Sequence, residues 1–346
     1  MPNVAVLDDY QGVALEMADW SGLPADCQVQ VFRDHLADLD ALAERLRDFT
    51  VVTCMRERTP FRRDLLERLP NLRLLVTTGM RNAAIDLQAA TDLGILVCGT
   101  AGGPESPPAE LTWGLILALA RHIPREDTAT RHGHWGMTVG MSLENKVLGV
   151  LGLGRLGTRV AKVGVAFGMS VITWSQNLTA ERATQCGATL VTKDELFTRS
   201  DILTIHVQLS ARTRGLVGAH ELRLMKPTAY LINTARGPIV DEAALVHAIQ
   251  ARVIAGAGLD VFDQEPLPPD HPLKSLENVV LVPHIGYVTR EQYQVRYRET
   301  VEDIAAYLQG EPLRVLNPEV RNTAHKQPLL AQKPPGQPLV SGQHRS

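Results

Sequence analysis

Three side chains that can bind a charged group or transfer a proton each follow a predicted β-strand in the second half of the chain. They are Arg236, Glu265 and His284. In an open α/β sheet, the carboxyl ends of parallel strands form the edge where ligands bind. Taken singly, each residue fits equally well as a surface arginine, a solvated glutamate or a core histidine. Their succession along the chain favours a shared site.

These residue types suit the reduction of a carbonyl group beside a carboxylate. A histidine is the natural proton donor and acceptor near neutral pH. The negative charge of a glutamate nearby favours the protonated form of the imidazole. The guanidinium of Arg236 matches a carboxylate with two parallel hydrogen bonds and stabilises charge developing on the carbonyl oxygen.

A glycine-rich motif precedes these residues. Gly152, Gly154 and Gly157 fit the pattern GxGxxG, between an apolar strand and a helical pattern that starts at Thr158. The first glycine permits a tight turn, the second lets backbone approach a pyrophosphate, and the third allows close packing of helix on strand. The helix N-terminus then favours the negative charge. The motif alone also fits a turn without a ligand, but its context predicts a dinucleotide site.

The strand after this motif lacks a feature that normally selects NAD. An acidic residue is expected about 20 positions on, where it would bind the ribose 2′-hydroxyl. The strand instead ends in Ser175, Gln176 and Asn177. A serine does not repel the 2′-phosphate of NADP, and Arg182 is the nearest cation able to bind that phosphate. The cofactor is therefore NAD or NADP, with the choice left open.

Two series of predicted strands alternate with helical patterns, which indicates parallel sheets covered by helices. In the first series, the predicted helices are Leu39–Arg47, Arg63–Leu69 and Asp86–Thr91. The predicted strands of that series are Val4–Leu7, Val29–Phe32, Val51–Met55, Leu72–Thr77 and Ile95–Cys98. Those of the second are Val147–Leu151, Ser170–Trp174, Ile202–His206, Tyr230–Asn233, Ala255–Leu259 and Val279–Val282.

Three segments lie outside this alternation. Ser106 is predicted to cap a helix whose stretch Leu111–Ala120 is apolar nearly all round; such a helix is expected to be buried, between two domains. Arg290–Leu308 is predicted to form one long helix. The stretch Arg321–Ser346 is rich in Pro, Gln, Lys and His without periodicity, which predicts a disordered tail.

The bulk properties exclude several classes of protein. A chain of 346 residues suggests two domains, and its net charge of -3 does not favour nucleic acid or an anionic membrane as partner. No apolar run reaches the length of about 20 residues that a membrane helix needs. The N-terminus does not resemble a signal peptide, so a cytoplasmic location is expected. The four scattered cysteines predict buried free thiols, and no metal site is expected.

The chain resembles the D-isomer-specific 2-hydroxyacid dehydrogenases over about residues 1–318. The matching segments are Gly152–Gly157, Asp201–Leu209, Leu231–Gly237, Gly256–Glu265 and Pro283–Gly286. The resemblance implies an α/β fold with a Rossmann-like, doubly wound parallel sheet in an NAD(P)-binding domain, residues 105–289. It also implies a split, flavodoxin-like substrate domain, residues 1–104 and 290–320.

The same resemblance implies roles for individual residues. The catalytic set is Arg236, Glu265 and His284. Residues at the cofactor are Gly152, Gly154, Arg155, Leu156, Gly157, Ser175, His206, Val207, Thr234, Ala235, Arg236, Asp260, His284 and Gly286. Among them, Arg155 and Leu156 would approach the pyrophosphate, and Asp260 would orient the nicotinamide carboxamide. The substrate carboxylate would be bound by Arg236 and by the loop of Thr78, Gly79, Met80 and Arg81, as an anion-binding nest.

Two positions depart from the family's pattern. Arg81 stands where a second glycine is usual, so it either adds positive charge near the carboxylate or is simply solvated. Tyr287 stands where a small residue is usual, and it either narrows the pocket, contacts the nicotinamide or packs in the core.

The expected activity is hydride transfer between NAD(P)H and C2 of a small 2-oxo acid such as hydroxypyruvate or glyoxylate, by a homodimer. The alternatives are a 3-phosphoglycerate dehydrogenase and, in another class, a dinucleotide-sensing corepressor resembling the C-terminal-binding proteins. The preferred acid, the cofactor preference and the direction in the cell stay open.

Overall fold

The computed structural model describes residues 2–322. The predicted disordered tail lies outside the described residues, apart from its first two. Those two, Arg321 and Asn322, end a short 3-10 helix, Pro318–Asn322. Proline at the first position pre-sets the helical φ angle, which a search for periodicity does not detect.

Strands and helices alternate along the described residues. The strands are β1 Asn3–Val6, β2 Gln28–Val31, β3 Val51–Cys54, β4 Leu74–Thr77, β5 Leu96–Gly99, β6 Val147–Leu151, β7 Ser170–Trp174, β8 Thr189–Leu190, β9 Ile202–Ile205, β10 Tyr230–Asn233, β11 Gly256–Leu259 and β12 Val279–Leu281. The helices are α1 Leu39–Leu46, α2 Arg63–Leu66, α3 Leu87–Asp92, α4 Pro107–Ala120, α5 Ile123–Arg131, α6 Arg155–Ala166, α7 Ala180–Gln185, α8 Lys193–Arg199, α9 Ala219–Leu224, α10 Glu242–Gln250 and α11 Arg290–Leu308.

These elements form two compact units. Among the described residues, the first contains residues 2–103 and 290–322. Its five strands form a parallel sheet in the order β2-β1-β3-β4-β5. Helix α11 returns to pack near β4 and β5. The core is built from residues such as Leu46, Leu65 and Leu75, all nearly inaccessible to solvent.

The second unit runs from Pro104 to Thr289. Its seven strands are all parallel, in the order β12-β11-β10-β9-β6-β7-β8. Neighbouring residues of β10 alternate between the two faces: Leu231 joins one apolar core and Ile232 the other. Because both faces are covered by apolar side chains, these strands read as continuous apolar runs in the sequence. The carboxyl ends of all seven strands lie along one edge of the sheet, and the predicted catalytic residues come directly after strands at that edge.

Helix α4 is buried, as its composition predicts. Its apolar side chains, including Trp113, Leu115 and Ile116, pack inside the second unit against β10, β11, β12 and α6. The predicted cap is wrong, because the backbone of Ser106 is already helical and its side chain makes no capping hydrogen bond.

Other helix bounds differ slightly from the predicted ones. Helix α6 starts at Arg155, immediately after Gly154, rather than at Thr158. Helix α2 stops at Leu66, and the chain continues to Leu69 in tighter turns.

The general expectations about cysteines and membranes can be compared with the described residues. All four cysteines are free; Cys54, Cys98 and Cys186 are buried, whereas Cys27 is only partly covered. Within residues 2–322, no helix is long and apolar enough to cross a bilayer. The same residues contain no cluster of three or more potential metal ligands.

Candidate active site

The three predicted catalytic residues follow neighbouring strands of the seven-stranded sheet. Arg236 follows β10, Glu265 follows β11 and His284 follows β12. Since β11 pairs in parallel with both β10 and β12, all three side chains start from the same edge of the sheet. Parallel pairing therefore gathers at one edge residues that are widely separated in the chain.

The imidazole of His284 forms a close pair with the carboxylate of Glu265. The Nδ1 atom lies 2.6 Å from Oε2 of Glu265. The other carboxylate oxygen, Oε1, accepts the backbone N–H of Phe262 at 2.9 Å. Both oxygens of Glu265 are thus occupied, which fixes the orientation of the ring. With Nδ1 bound to the carboxylate, Nε2 is the nitrogen that can exchange a proton with a substrate.

Two further residues hold the segment around His284. Asp260 is only 1% exposed and accepts the backbone N–H groups of Ile285, at 2.6 Å, and Gly286, at 3.0 Å. Tyr287 is buried, and its ring lies edge to face with the imidazole, with the two ring centroids 5.6 Å apart. The bulky residue at position 287 therefore packs against the imidazole of His284.

The electrostatics of Asp260 are unusual for an aspartate. Burial raises its pKa to about 6, and this effect outweighs the lowering by His284 and by the hydrogen bonds from Ile285 and Gly286. The nearby charge of Glu265 raises the pKa further. A buried carboxylate whose pKa is raised toward neutral pH, close to a histidine–glutamate pair, is typical of functional sites.

A buried asparagine shapes the turn that carries Arg236. The side chain of Asn233 accepts the N–H of Ala235 and donates to the carbonyl of Arg236, both at 3.0 Å. One N–H of the Arg236 guanidinium donates to the Ala235 carbonyl at 2.7 Å. Sequence reasoning missed Asn233, although an asparagine at a strand end is a known turn former.

Thr234, in the same turn as Arg236, is held by a contact with helix α4. Its hydroxyl lies 2.8 Å from that of Thr112, which in turn donates to the carbonyl of Pro108. Thr112 is fully buried in an otherwise apolar helix. The sequence offered no signal for it, because its partner is distant in the chain.

The glycine-rich turn has the geometry that a dinucleotide requires. Gly152 has a φ of +98°, and a Cβ there would lie 2.9 Å from the backbone of Val207. A Cβ on Gly157 would lie 2.1 Å from the carbonyl oxygen of Gly152. A Cβ on Gly154 would meet nothing within 4 Å, so this glycine faces open space. The turn packs tightly on the protein and leaves its middle open to a ligand.

The N-terminus of α6 is likewise suited to an anion. Gly154 occupies the capping position and has no side chain to bind the first N–H groups. Arg155 is exposed and forms an ion pair with Glu105, and Leu156 is partly buried. Free N–H groups and a positive helix end together fit a pyrophosphate.

The remaining predicted cofactor residues lie along the same edge. The carbonyl of Trp174, which precedes Ser175, accepts the N–H of Gly152, so the end of β7 adjoins the glycine-rich turn. His206 follows β9, and its Nε2 lies 2.9 Å from the hydroxyl of Thr204. Burial lowers the pKa of His206 to about 4, so this imidazole is neutral at pH 7.

The predicted carboxylate loop lies in the first unit, after β4. Gly79 has a φ of +108°, and its N–H donates to the hydroxyl of Thr100 at 2.9 Å. The N–H of Thr78 donates to the carbonyl of Cys54 at 3.1 Å, so two donors of the predicted nest are already used. Met80 and Arg81 are exposed, and among the described residues no acceptor is found for their backbone N–H groups. The neighbouring Asn82 anchors the loop through Arg56 and Thr77.

The second unit combines a parallel sheet with a glycine-rich turn suited to a dinucleotide. The same edge of the sheet carries an Arg, a Glu–His pair and a buried Asp. These features together define the class of nicotinamide-dependent oxidoreductases. The comparisons with known proteins agree. The model of the D-isomer specific 2-hydroxyacid dehydrogenase NAD binding domain matches residues 113–286.

The similar proteins cover most of the chain. A glyoxylate reductase from Aeropyrum pernix is 43% identical over 74% of this chain and 80% of its own length. A D-3-phosphoglycerate dehydrogenase from Methanocaldococcus jannaschii is 38% identical over 79% of this chain, which spans about half (52%) of that relative. The crystal structure of an oxidoreductase from Ralstonia solanacearum shares 37% identity and superposes with a TM-score of 0.86, covering 92% of this chain and 98% of that one.

The chain belongs to the D-isomer specific 2-hydroxyacid dehydrogenase family. It is an oxidoreductase acting on CH–OH donors with a nicotinamide dinucleotide, and the α/β, Rossmann-like fold predicted from the sequence is confirmed.

Proposed function

We propose that the protein reduces a small 2-oxo acid to the D-2-hydroxy acid, with Arg236, Glu265 and His284 as its catalytic residues. The 2.6 Å contact between His284 and Glu265 carries this proposal. A carboxylate on Nδ1 stabilises the imidazolium, which leaves Nε2 to donate a proton to the carbonyl oxygen. The guanidinium of Arg236 binds the substrate carboxylate.

The second unit is proposed to bind the cofactor, which supplies a hydride when bound. Its pyrophosphate would be held by the first turn of α6 and by the glycines of the motif. Its remaining contacts would be Arg155, Leu156, Ser175, His206, Val207, Thr234, Ala235, Arg236, Asp260, His284 and Gly286. The first unit is proposed to bind substrate through Thr78, Gly79, Met80 and Arg81, with the N–H groups of the last two as donors.

Glyoxylate and hydroxypyruvate are the first candidate substrates. The similarity to a glyoxylate reductase over most of both chains supports this choice. A phosphorylated 2-oxo acid is the second candidate, supported by the relatives named D-3-phosphoglycerate dehydrogenase. Arginines at the ends of β3 and β4, among them Arg56, Arg58 and Arg81, also favour a second negative group.

Loss of NAD(P)H absorbance tests the proposal directly. Purified protein is mixed with NADH or NADPH and with glyoxylate, hydroxypyruvate or 3-phosphohydroxypyruvate in separate assays. We expect turnover with at least one of these acids. Tight NADH binding without turnover of any of them would contradict the proposal and favour a dinucleotide-sensing role.

The end of β7 predicts how the two cofactors are used. Ser175 offers a neutral contact where a carboxylate would make charge-assisted hydrogen bonds, a loss of about 1 kcal/mol or tenfold in NADH affinity. We therefore expect NADH and NADPH to be used comparably, with a preference for NADPH if Arg182 reaches the phosphate. Ser175→Asp should shift the ratio of kcat/KM values toward NADH by about 1–2 kcal/mol.

Ser170→Asp is the matched control for this prediction. Ser170 is exposed at the opposite end of the same strand, so the variant adds the same charge far from the glycine-rich turn. Its cofactor ratio should equal that of the wild type. A hundredfold preference for NADH in the wild type that Ser175→Asp leaves unchanged would show that Gln176 or Asn177 binds the ribose.

The exposed apolar side chains of the second unit support a symmetric homodimer. Trp135 is 89% exposed and Val139 is 94% exposed, and Ile123 and Met137 are about half exposed. Helix α4 is already buried within its own unit, so we assign the interface to this following segment. Apolar patches of this kind commonly mark interfaces between proteins.

Light scattering checks this assignment. We expect a dimer at micromolar concentration and a shift toward monomer in the double variant Trp135→Ser, Val139→Ser. Val163→Ser on α6, another exposed apolar residue, is the control and should stay dimeric. A monomeric wild type would contradict the dimer, and a dimeric double variant would move the interface elsewhere.

A further inference from the structure

We infer that Asp260 is a positioning residue for His284: its carboxylate holds the turn that presents the catalytic imidazole. His284 has a φ of +52°, in the left-handed region that non-glycine residues rarely adopt. A conformation of this kind persists only where the surroundings enforce it. The structure shows what enforces it here.

The backbone on both sides of His284 is tied down. On the preceding side, the N–H of His284 donates to the carbonyl of Val282 at 3.1 Å. On the following side, the next two N–H groups, of Ile285 and Gly286, each donate to a different oxygen of Asp260. One buried carboxylate therefore fixes two consecutive peptide units directly after the catalytic residue. With these fixed, the ring meets Glu265 at Nδ1.

The glycine at position 286 follows from the same arrangement. A Cβ there would lie 2.9 Å from Oδ2 of Asp260 and 3.6 Å from Cα of Pro108. A side chain at 286 would force the carboxylate away from the amides. Gly286 is thus required by the close approach of Asp260, independently of any contact with a cofactor.

This role differs from orienting the nicotinamide carboxamide. Each carboxylate oxygen has two lone pairs, so Asp260 has the capacity for both roles. The two roles predict different behaviour when no cofactor is bound. If Asp260 only bound the cofactor, replacing it would leave the His284 turn of the cofactor-free protein unchanged. If Asp260 positions His284, replacing it loosens that turn even without cofactor.

Hydrogen–deuterium exchange of the cofactor-free protein tests the inference with Asp260→Asn. Asn has nearly the same shape but presents an NH₂ group to one of the two amides. We expect the segment 284–288 to exchange about tenfold faster or more, from the loss of a hydrogen bond to a charged acceptor. We expect kcat to fall by a similar factor while KM for the 2-oxo acid changes little. The kinetic part rests on the proposed function, whereas the exchange measurement does not.

Asp263→Asn provides the matched control. Asp263 is exposed and lies in the same loop, outside the site. It should leave both exchange and kcat unchanged. The inference would be overturned if segment 284–288 exchanged at the same rate in Asp260→Asn as in the wild type while the variant bound NAD(P)H more weakly.

Discussion

Replacing His284 by Asn is expected to lower kcat for 2-oxo acid reduction by about 10²-fold or more, the usual contribution of a positioned acid or base. Asn keeps a polar side chain of similar reach but has no proton to give at neutral pH. The glycine-rich turn and the start of α6 do not contain His284, so binding of NAD(P)H should survive. Stopped-flow fluorescence for cofactor affinity and steady-state rates for kcat separate the two effects.

His271 offers a close control within the same unit. Its Nε2 lies 3.0 Å from Oε1 of Glu242, so it also forms a histidine–carboxylate pair, and it is 15% exposed, like His284. This second pair lies outside the proposed site. His271→Asn should keep kcat near the wild-type value, even if it lowers stability. Near-normal turnover in His284→Asn would remove His284 from the mechanism.

Replacing Arg236 by Lys is expected to raise KM for the 2-oxo acid and to lower kcat. Lysine keeps the charge but loses the planar fork that binds a carboxylate through two parallel hydrogen bonds. The loss of one charge-assisted hydrogen bond costs about 1.5–3 kcal/mol, or roughly 10- to 150-fold in kcat/KM. Steady-state kinetics at saturating cofactor measure both constants.

The same substitution at Arg223 is the control. Arg223 is exposed on α9, away from the sheet edge that carries the site, and Arg223→Lys should change neither constant. An unchanged KM in Arg236→Lys would mean that the carboxylate is bound elsewhere, and Arg81→Lys would then be the next variant to measure. That outcome would leave the role of His284 intact.

The strands and the residues that follow them could be predicted from sequence because the signals are local. The strand Tyr230–Asn233 and the helix Arg290–Leu308 have the predicted bounds, because apolar runs and long helical patterns extend over several residues. Parallel pairing then fixes which residues share an edge. That rule is enough to bring Glu265 and His284 together without any knowledge of the packing.

The supporting contacts could not be predicted, because each joins residues that are distant in the sequence. Thr112 reaches Thr234 from a helix that reads as purely apolar. The hydrogen bonds of Asp260 join the backbone amides after His284, which follows β12, to a side chain that follows β11. The missing cap at Ser106 could not be predicted either, because the residue type suits a cap but the backbone conformation there is already helical.

Stereospecific oxidation of a 2-hydroxy acid tests the account most directly. D-glycerate and L-glycerate, and likewise D-lactate and L-lactate, are supplied separately with NAD⁺ or NADP⁺, and reduced cofactor is followed over time in wild type and in His284→Asn. We predict reduced cofactor from at least one D-isomer, none from its L-isomer, and a loss of that rate in the variant. Turnover of the L-isomer, or equal rates in wild type and variant, would contradict the account.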